Sequence, residues 1–267
     1  MDADGLVLNP KGCCQDVHVS PKAPVRDAHG AQLHPTREYE NAVAVPSRLL
    51  SAPRQALVCF DLDGTLYARP ACFHDPYGDP AGRPYLQCFL KWLFRPASPW
   101  RVAFWTCSQR STALNSLSKL QLGLVEPSHH PDDKPVLLSS RLVSLWAREE
   151  TIPPQDYNVY VRATKDFDHL WTHLRQLDRG EYGPENTVMI DDTPNKLRAQ
   201  PDTLLNPPTF AFPSSPSKAT EACQTDTFLL ELAGALEELC LESNMAYSIA
   251  SRGCESCASA SGASAGD

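Results

Sequence analysis

Ala56-Leu57-Val58-Cys59-Phe60-Asp61-Leu62-Asp63-Gly64-Thr65-Leu66 passes from an unbroken apolar run straight into an acidic turn. Five apolar residues with no polar alternation suit a strand covered on both faces, which is the habit of a parallel sheet. The acidic turn then falls at the strand's carboxyl end, where open α/β sheets bind ligands. Asp61 and Asp63 would repel each other, so the pair makes most sense beside a divalent cation and an anionic substrate. Gly64 permits a tight turn and close backbone approach. An Asp-Gly surface turn is the bland alternative, and the rest of the chain decides between them.

Two further apolar runs end the same way. Trp100-Arg101-Val102-Ala103-Phe104-Trp105 leads into Thr106-Cys107-Ser108, and Thr187-Val188-Met189-Ile190 leads into Asp191-Asp192-Thr193-Pro194. Three strands of one parallel sheet would bring these turns together at one edge. Thr106 could bond a phosphoryl oxygen without adding charge, or simply cap the following helix. Lys165 opens a segment whose Phe167, Leu170, Trp171 and Leu174 form an apolar helix face. A cation at a helix start opposes the macrodipole, and a phosphoryl group nearby would give it a reason.

Between these landmarks the pattern predicts a helix with Pro84 at its first position and Leu86, Phe89, Leu90 and Leu93 on one face. A second helix carries Leu114, Leu117 and Leu120, and a third, capped by Asp226, carries Phe228, Leu229, Leu232, Leu236 and Leu239. Residues 123–156 break the strand-helix rhythm. There the loop with His129-His130 and the strand-like pieces in 136–149 and 157–161 read as an insertion beside the site, from which Arg148 could reach a substrate. Residues 209–212 read as a last strand. Residues 67–82 are too short and polar for a cap domain.

Composition sets outer bounds. With 267 residues, 42% of them hydrophobic, the chain can hold one α/β domain and tails. The expected division is a mostly disordered tail over 1–52, a domain over 53–245 and a disordered tail over 246–267. A net charge of −8 argues against wrapping nucleic acid. No apolar window approaches a membrane span, and the start lacks a signal peptide's pattern, so a soluble intracellular protein is expected. Of the ten cysteines, Cys59, Cys88 and Cys240 sit in apolar runs as core residues. Cys13-Cys14 and Cys254-x-x-Cys257 make a weak zinc signal. His169 and His173 have a zinc-like spacing but lack a third ligand, which favours a solvated helix flank.

Taken in order, Asp61-Leu62-Asp63-Gly64-Thr65, Thr106, Lys165 and Asp191-Asp192 resemble the four motifs of a haloacid-dehalogenase-type phosphohydrolase. Within that superfamily the chain is similar to the phosphatases of the RNA polymerase II C-terminal domain and their NLI-interacting-factor-like relatives (FCP homology). The supporting stretches are Arg83-Pro84-Tyr85-Leu86, Phe104-Trp105-Thr106, Lys165-Asp166-Phe167, and Ile190-Asp191-Asp192-Thr193-Pro194 with Pro201-Asp202. That family often has Asp-Asn where this chain has Asp191-Asp192, and a longer segment than 67–82.

The resemblance implies a Rossmann-like parallel sheet with helices on both faces, a small β insertion and a minimal cap. It implies a phosphatase using Mg²⁺ and an aspartyl phosphate. Asp61 would be the nucleophile and Asp63 the general acid and base. Thr106 and Lys165 would bind the phosphoryl oxygens. Asp61, the backbone carbonyl of Asp63 and Asp192 would hold Mg²⁺, with Asp191 behind them or as an alternate ligand. An acid at Asp63 favours phosphate hydrolysis or mutase chemistry over dehalogenation. The implied substrate is protein phosphoserine or phosphothreonine, and a nuclear or cytoplasmic place is open. The alternatives are a small-molecule phosphatase of the same fold and a non-catalytic protein-binding module. The sequence leaves the oligomeric state open.

Overall fold

The computed structural model describes residues 26–27, 34–70, 79–123, 139–156, 161–213 and 215–252. Its strands are β1 (Arg26–Asp27), β2 (Ala56–Phe60), β3 (Tyr67–Ala68), β4 (Ala81–Gly82), β5 (Trp100–Trp105), β6 (Leu142–Trp146), β7 (Val161–Arg162), β8 (Thr187–Ile190) and β9 (Leu204–Leu205). Its helices are α1 (Arg37–Val43), α2 (Leu86–Leu93), α3 (Arg110–Lys119), α4 (Arg148–Thr151), α5 (Phe167–Gln176), α6 (Pro216–Thr225) and α7 (Phe228–Leu239). The main sheet has five parallel strands in the order β6-β5-β2-β8-β9. Strands β1 and β7 form a separate parallel pair, and β3 and β4 a small antiparallel one.

The period-2 geometry of β2 shares one apolar run between two cores. Ala56, Val58 and Phe60 face α2, α3 and α7 through Leu86, Phe89, Leu93, Leu117 and Leu236. Leu57 and Cys59 face the other way, onto Phe167, Leu170, Trp171 and Leu174 of α5. Both layers are aromatic at the carboxyl end of the sheet. Phe60 meets Phe89 edge-on at 5.8 Å, and Phe167 lies edge-on to Trp105 at 5.9 Å while stacking on Trp171 at 5.4 Å. The sheet is thus sealed on both sides, as its unbroken apolar strands require.

Several local expectations are corrected. Leu142–Trp146 is the edge strand of the main sheet rather than part of an insertion, and all five of its residues are buried. The small β insertion is instead the β3–β4 hairpin, which comes directly after the acidic turn. The helix near Pro84 starts at Leu86, because Tyr85 takes the left-handed conformation (φ 66°) and sets Pro84 in the turn before it. The last strand is Leu204–Leu205 and not 209–212, whose Phe210 N–H instead donates to the Gly64 carbonyl at 2.7 Å. Thr227, not Asp226, holds the N-cap position of α7, although the Asp226 carboxylate still accepts from the Phe228 N–H at 3.2 Å.

Described segments also flank the 53–245 stretch on both sides. Helix α1 is capped by Thr36, and its buried Tyr39 shares hydrogen bonds with Asp202. The Asn244 amide donates to the carbonyls of Ala42 and Val45, so the stretch before β2 is tied to the end of the domain. Residues 245–252 are helical, with Met245 and Ala246 buried. Cys59 and Cys240 are buried as expected, whereas Cys88 is exposed on α2. Cys13, Cys14, Cys254, Cys257, His129 and His130 lie outside the described residues.

Candidate active site

Strand register builds the site. Phe60 is level with Phe104 on one side and Ile190 on the other, so the residues beyond them all leave the sheet together. The Asp61 N–H donates to the Ile190 carbonyl at 2.9 Å, carrying the ladder one step into the acidic turn. Asp61 and Asp191 are buried side by side, 2% and 0% exposed, and are held there by two lysines. Lys165 Nζ lies 3.0 Å from Asp61 Oδ1 and 2.7 Å from Asp191 Oδ2, and it also donates to the Trp105 carbonyl. Lys196 Nζ lies 2.7 Å from Asp61 Oδ2 and 3.1 Å from Asp191 Oδ1.

Burial alone would neutralise such groups, but the four charges offset one another. Desolvation opposes the Asp61 charge, yet the ammoniums of Lys165 and Lys196 outweigh it and hold the carboxyl below the usual aspartate range. Asp191 is pushed upward, chiefly by burial and then by the Asp61 charge. Burial works against both lysines, and the two carboxylates overcome it and raise them. The Asp61 carboxylate is therefore held in its charged form in a nearly dry place.

Lys165 has anionic neighbours within the protein itself, the carboxylates of Asp61 and Asp191. Lys165 is 0% exposed and lies just before the helix, where Asp166 is the N-cap and accepts from the Asp168 N–H at 3.1 Å. That cap satisfies the end of α5, and the Asp61 and Asp191 charges offset the unfavourable macrodipole.

Sequence reasoning missed Lys196. It ends the 3-10 turn Pro194–Lys196, and its carbonyl accepts the Lys165 N–H at 2.7 Å, locking the two lysine-bearing loops together. The available signal was Asp191-Asp192-Thr193-Pro194 with a lysine two residues on, because proline favours a turn that returns a nearby side chain to the strand end.

Asp63 stands apart from this cluster. Its Oδ1 accepts from Arg69 Nε at 2.5 Å and its Oδ2 from the Ser108 hydroxyl at 2.9 Å, while Arg69 also donates to the Ser108 oxygen at 3.0 Å. The side chain of Asp63 is 28% exposed against 3% for Asp61, so the second aspartate faces the opening. Arg69 and Ser108 carried no sequence signal of their own. Thr106 is buried, and its Oγ1 accepts the Ser108 N–H at 3.1 Å, which leaves the hydroxyl proton to donate. Arg148 is joined to this turn through its backbone, its N–H donating to the Ser108 carbonyl at 2.8 Å. No side-chain contact ties Arg148 to the acidic cluster among the described residues.

Asp61, Asp191 and Asp192 each offer a carboxylate oxygen within 4.8 Å of the others, and the Asp63 carboxylate is not in this group. Three hard oxygen donors suit a hard divalent cation such as Mg²⁺. Asp192 comes close because residue 64 has no side chain. A Cβ built on Gly64 would sit 2.5 Å from Asp192 Oδ2 and 3.3 Å from Thr209 Cγ2, on a backbone with φ +79°. Gly64→Ala is expected to cost about 1–2 kcal/mol in backbone strain and to displace Asp192. A titration with Mg²⁺ read by thermal stability should then saturate at higher concentration than for the unaltered chain. Saturation at an unchanged concentration would separate Asp192 from the metal.

His169 and His173 have no part in this chemistry. His173 packs its ring against Trp146 at 5.5 Å, and the acidic trio is the one potential metal-binding group among the described residues.

A parallel sheet whose three inner strands end in an aspartate pair, a hydroxyl turn and a second aspartate pair defines a haloacid-dehalogenase-type phosphatase fold. The chain belongs to the NLI interacting factor-like phosphatase family, whose model matches residues 56–245. That family makes it a phosphoric monoester hydrolase. No curated protein matches the chain. Among solved structures, it is similar to the core domain of a protein from Streptococcus pneumoniae TIGR4 described as a phosphoglycolate phosphatase. The two share 12% identity over 65% of this chain and 98% of that one, with a TM-score of 0.30, too slight a likeness to argue from. No helix among the described residues is long and apolar enough to cross a membrane.

Proposed function

We propose that this phosphatase depends on Mg²⁺, works through an aspartyl phosphate on Asp61, and acts on phosphoserine or phosphothreonine in a protein segment, in the manner of the RNA polymerase II C-terminal-domain phosphatases. The observation that carries the reading is Asp61 itself, a buried carboxylate kept ionised by two lysines, with a second, more exposed carboxylate two residues on.

In the first step an Asp61 carboxylate oxygen forms a bond to phosphorus while the ester oxygen–phosphorus bond breaks, and Asp63 passes a proton to the departing serine or threonine oxygen. In the second, Asp63 takes a proton from water as that water attacks phosphorus. The bond between Asp61 and phosphorus breaks, the Asp61 carboxylate is regenerated, and inorganic phosphate leaves. Asp63 has to leave its bonds with Arg69 and Ser108 to do this, and its exposure gives it room. Thr106 donates its hydroxyl proton to a phosphoryl oxygen. Asp61, Asp191 and Asp192 would hold the cation, which supplies charge compensation where nucleophile and phosphate, both anionic, must meet.

A protein substrate is favoured by the short span of chain between the acidic turn and α2. It returns to Arg83 through a hairpin with two residues per strand, and a lid that encloses a small metabolite ordinarily takes far more chain. A phosphorylated side chain on an extended segment would fit such a mouth. The test is turnover of para-nitrophenyl phosphate and of a phosphopeptide panel, with Mg²⁺ and with chelator. Expected are loss of nearly all turnover in chelator, recovery on adding Mg²⁺, and higher kcat/KM for phosphopeptides than for sugar phosphates. Better turnover of sugar phosphates would favour the small-molecule reading. Full activity in chelator would remove the metal from the mechanism, and no turnover by folded, Mg²⁺-supplied protein would favour a binding module.

A further inference from the structure

We infer that Lys196 supplies a lysine contact to the phosphoryl group of the substrate. The inference rests on the phosphatase reading and assigns a residue that the sequence motifs leave out.

An ammonium has three N–H donors. Lys165 Nζ lies against three oxygens, Asp61 Oδ1, Asp191 Oδ2 and the Trp105 carbonyl, and its side chain is 0% exposed. Its three donors are each matched to one of these oxygens. Lys196 Nζ meets two oxygens, Asp61 Oδ2 and Asp191 Oδ1, and its side chain is 18% exposed. Its third N–H has no partner among the described residues.

The two lysines also divide the oxygens of the nucleophile. Asp61 Oδ1 is closed off against buried Lys165, so the oxygen on the open side is Oδ2, which pairs with Lys196. In an in-line attack the phosphoryl oxygens pass within hydrogen-bond reach of a group already touching the attacking oxygen. Lys196 is placed to track them as negative charge spreads over the phosphoryl group. Lys165, on the buried side, bridges Asp61 and Asp191 and holds them in register.

Inorganic phosphate is the probe, because it needs no turnover. The full chain with Mg²⁺ at fixed ionic strength is compared with Lys196→Met and Lys196→Arg, each checked for folding by circular dichroism. Two quantities are read: the rise in Tm on adding phosphate, and inhibition of para-nitrophenyl phosphate hydrolysis by phosphate. Lys196→Met should weaken phosphate binding tenfold or more by both readouts and raise KM. Lys196→Arg should restore most of the binding, since a guanidinium keeps the charge and the donors. Unchanged phosphate binding in Lys196→Met with a lower kcat would overturn the inference and make Lys196 a positioning residue. A chain that turns nothing over but binds phosphate through Lys196 would overturn the phosphatase reading and leave the anion site standing.

Discussion

Asp61→Asn is expected to lower turnover of para-nitrophenyl phosphate by about 10⁴-fold or more, because in the proposed mechanism losing the covalent nucleophile removes the whole two-step route. The change is nearly isosteric, so the packing at the end of β2 should survive it. What changes is charge. Lys165 and Lys196 would be left with Asp191 as the one remaining carboxylate between them. Lys196, partly exposed, can turn toward water, and that limits the damage. A chain that keeps its cooperative unfolding and loses its turnover would place the effect in the chemistry. Retention of a tenth or more of the activity would sink Asp61 as nucleophile, with Asp63 and Asp192 next to be tested.

Lys165→Met should act on the fold as strongly as on turnover. Removing one partner from a buried charge cluster leaves an uncompensated carboxylate, at a cost of about 3–5 kcal/mol. Lys196 still offsets part of it, so the lower end is expected in urea unfolding at neutral pH. The loss should shrink as pH falls. Without Lys165, Asp61 loses one of the two charges that hold it down and Asp191, already raised, loses the charge that opposes its burial most, so both carboxyls move upward. A raised acid adds stability below its folded pKa and loses it as pH rises, so the variant gains on the unaltered chain toward acid pH. In the unaltered chain Lys165 is raised, so its own contribution is fully present below about pH 10.4 and is lost only as pH rises through its folded pKa. A deficit that is the same at pH 5 and pH 7.5 would mean that the lysine matters through packing and not through charge.

The sequence showed strands wherever apolar runs ended abruptly, because a buried parallel strand needs both of its faces apolar and leaves no other trace. Residues 56–60, 100–105 and 187–190 met that condition. Residues 142–146 fall short of it because Ser144 interrupts the run, and the Pro-rich sequence before it reads as an insertion. Ser144 is buried in the edge strand, a fact that no local pattern carries.

The placement of the aspartates was legible because their motifs coincide with the ends of β2 and β8, and that of Lys165 because an apolar helix face begins just after it. Lys196 was not, since its role depends on a 3-10 turn that folds the chain back over β8. Arg69 and Ser108 were hidden for a different reason: they meet Asp63 across separate loops, and no spacing in the sequence records that meeting. The left-handed Tyr85 was hidden likewise, as only its surroundings pay for a side chain in that conformation.

The level alignment of Phe60 with Phe104 and Ile190 bears on how this family can vary over evolutionary time. A one-residue insertion or deletion inside β2, β5 or β8 would turn each later side chain to the opposite face. It would send apolar residues meant for one core into the other and carry Asp61 or Asp191 away from its lysines. Lineages should therefore differ in length in the segments that join the strands, such as 69–80 and 121–141, and hardly ever within the strands. New substrate preferences would then arise by lengthening or trimming loops around a fixed set of charges.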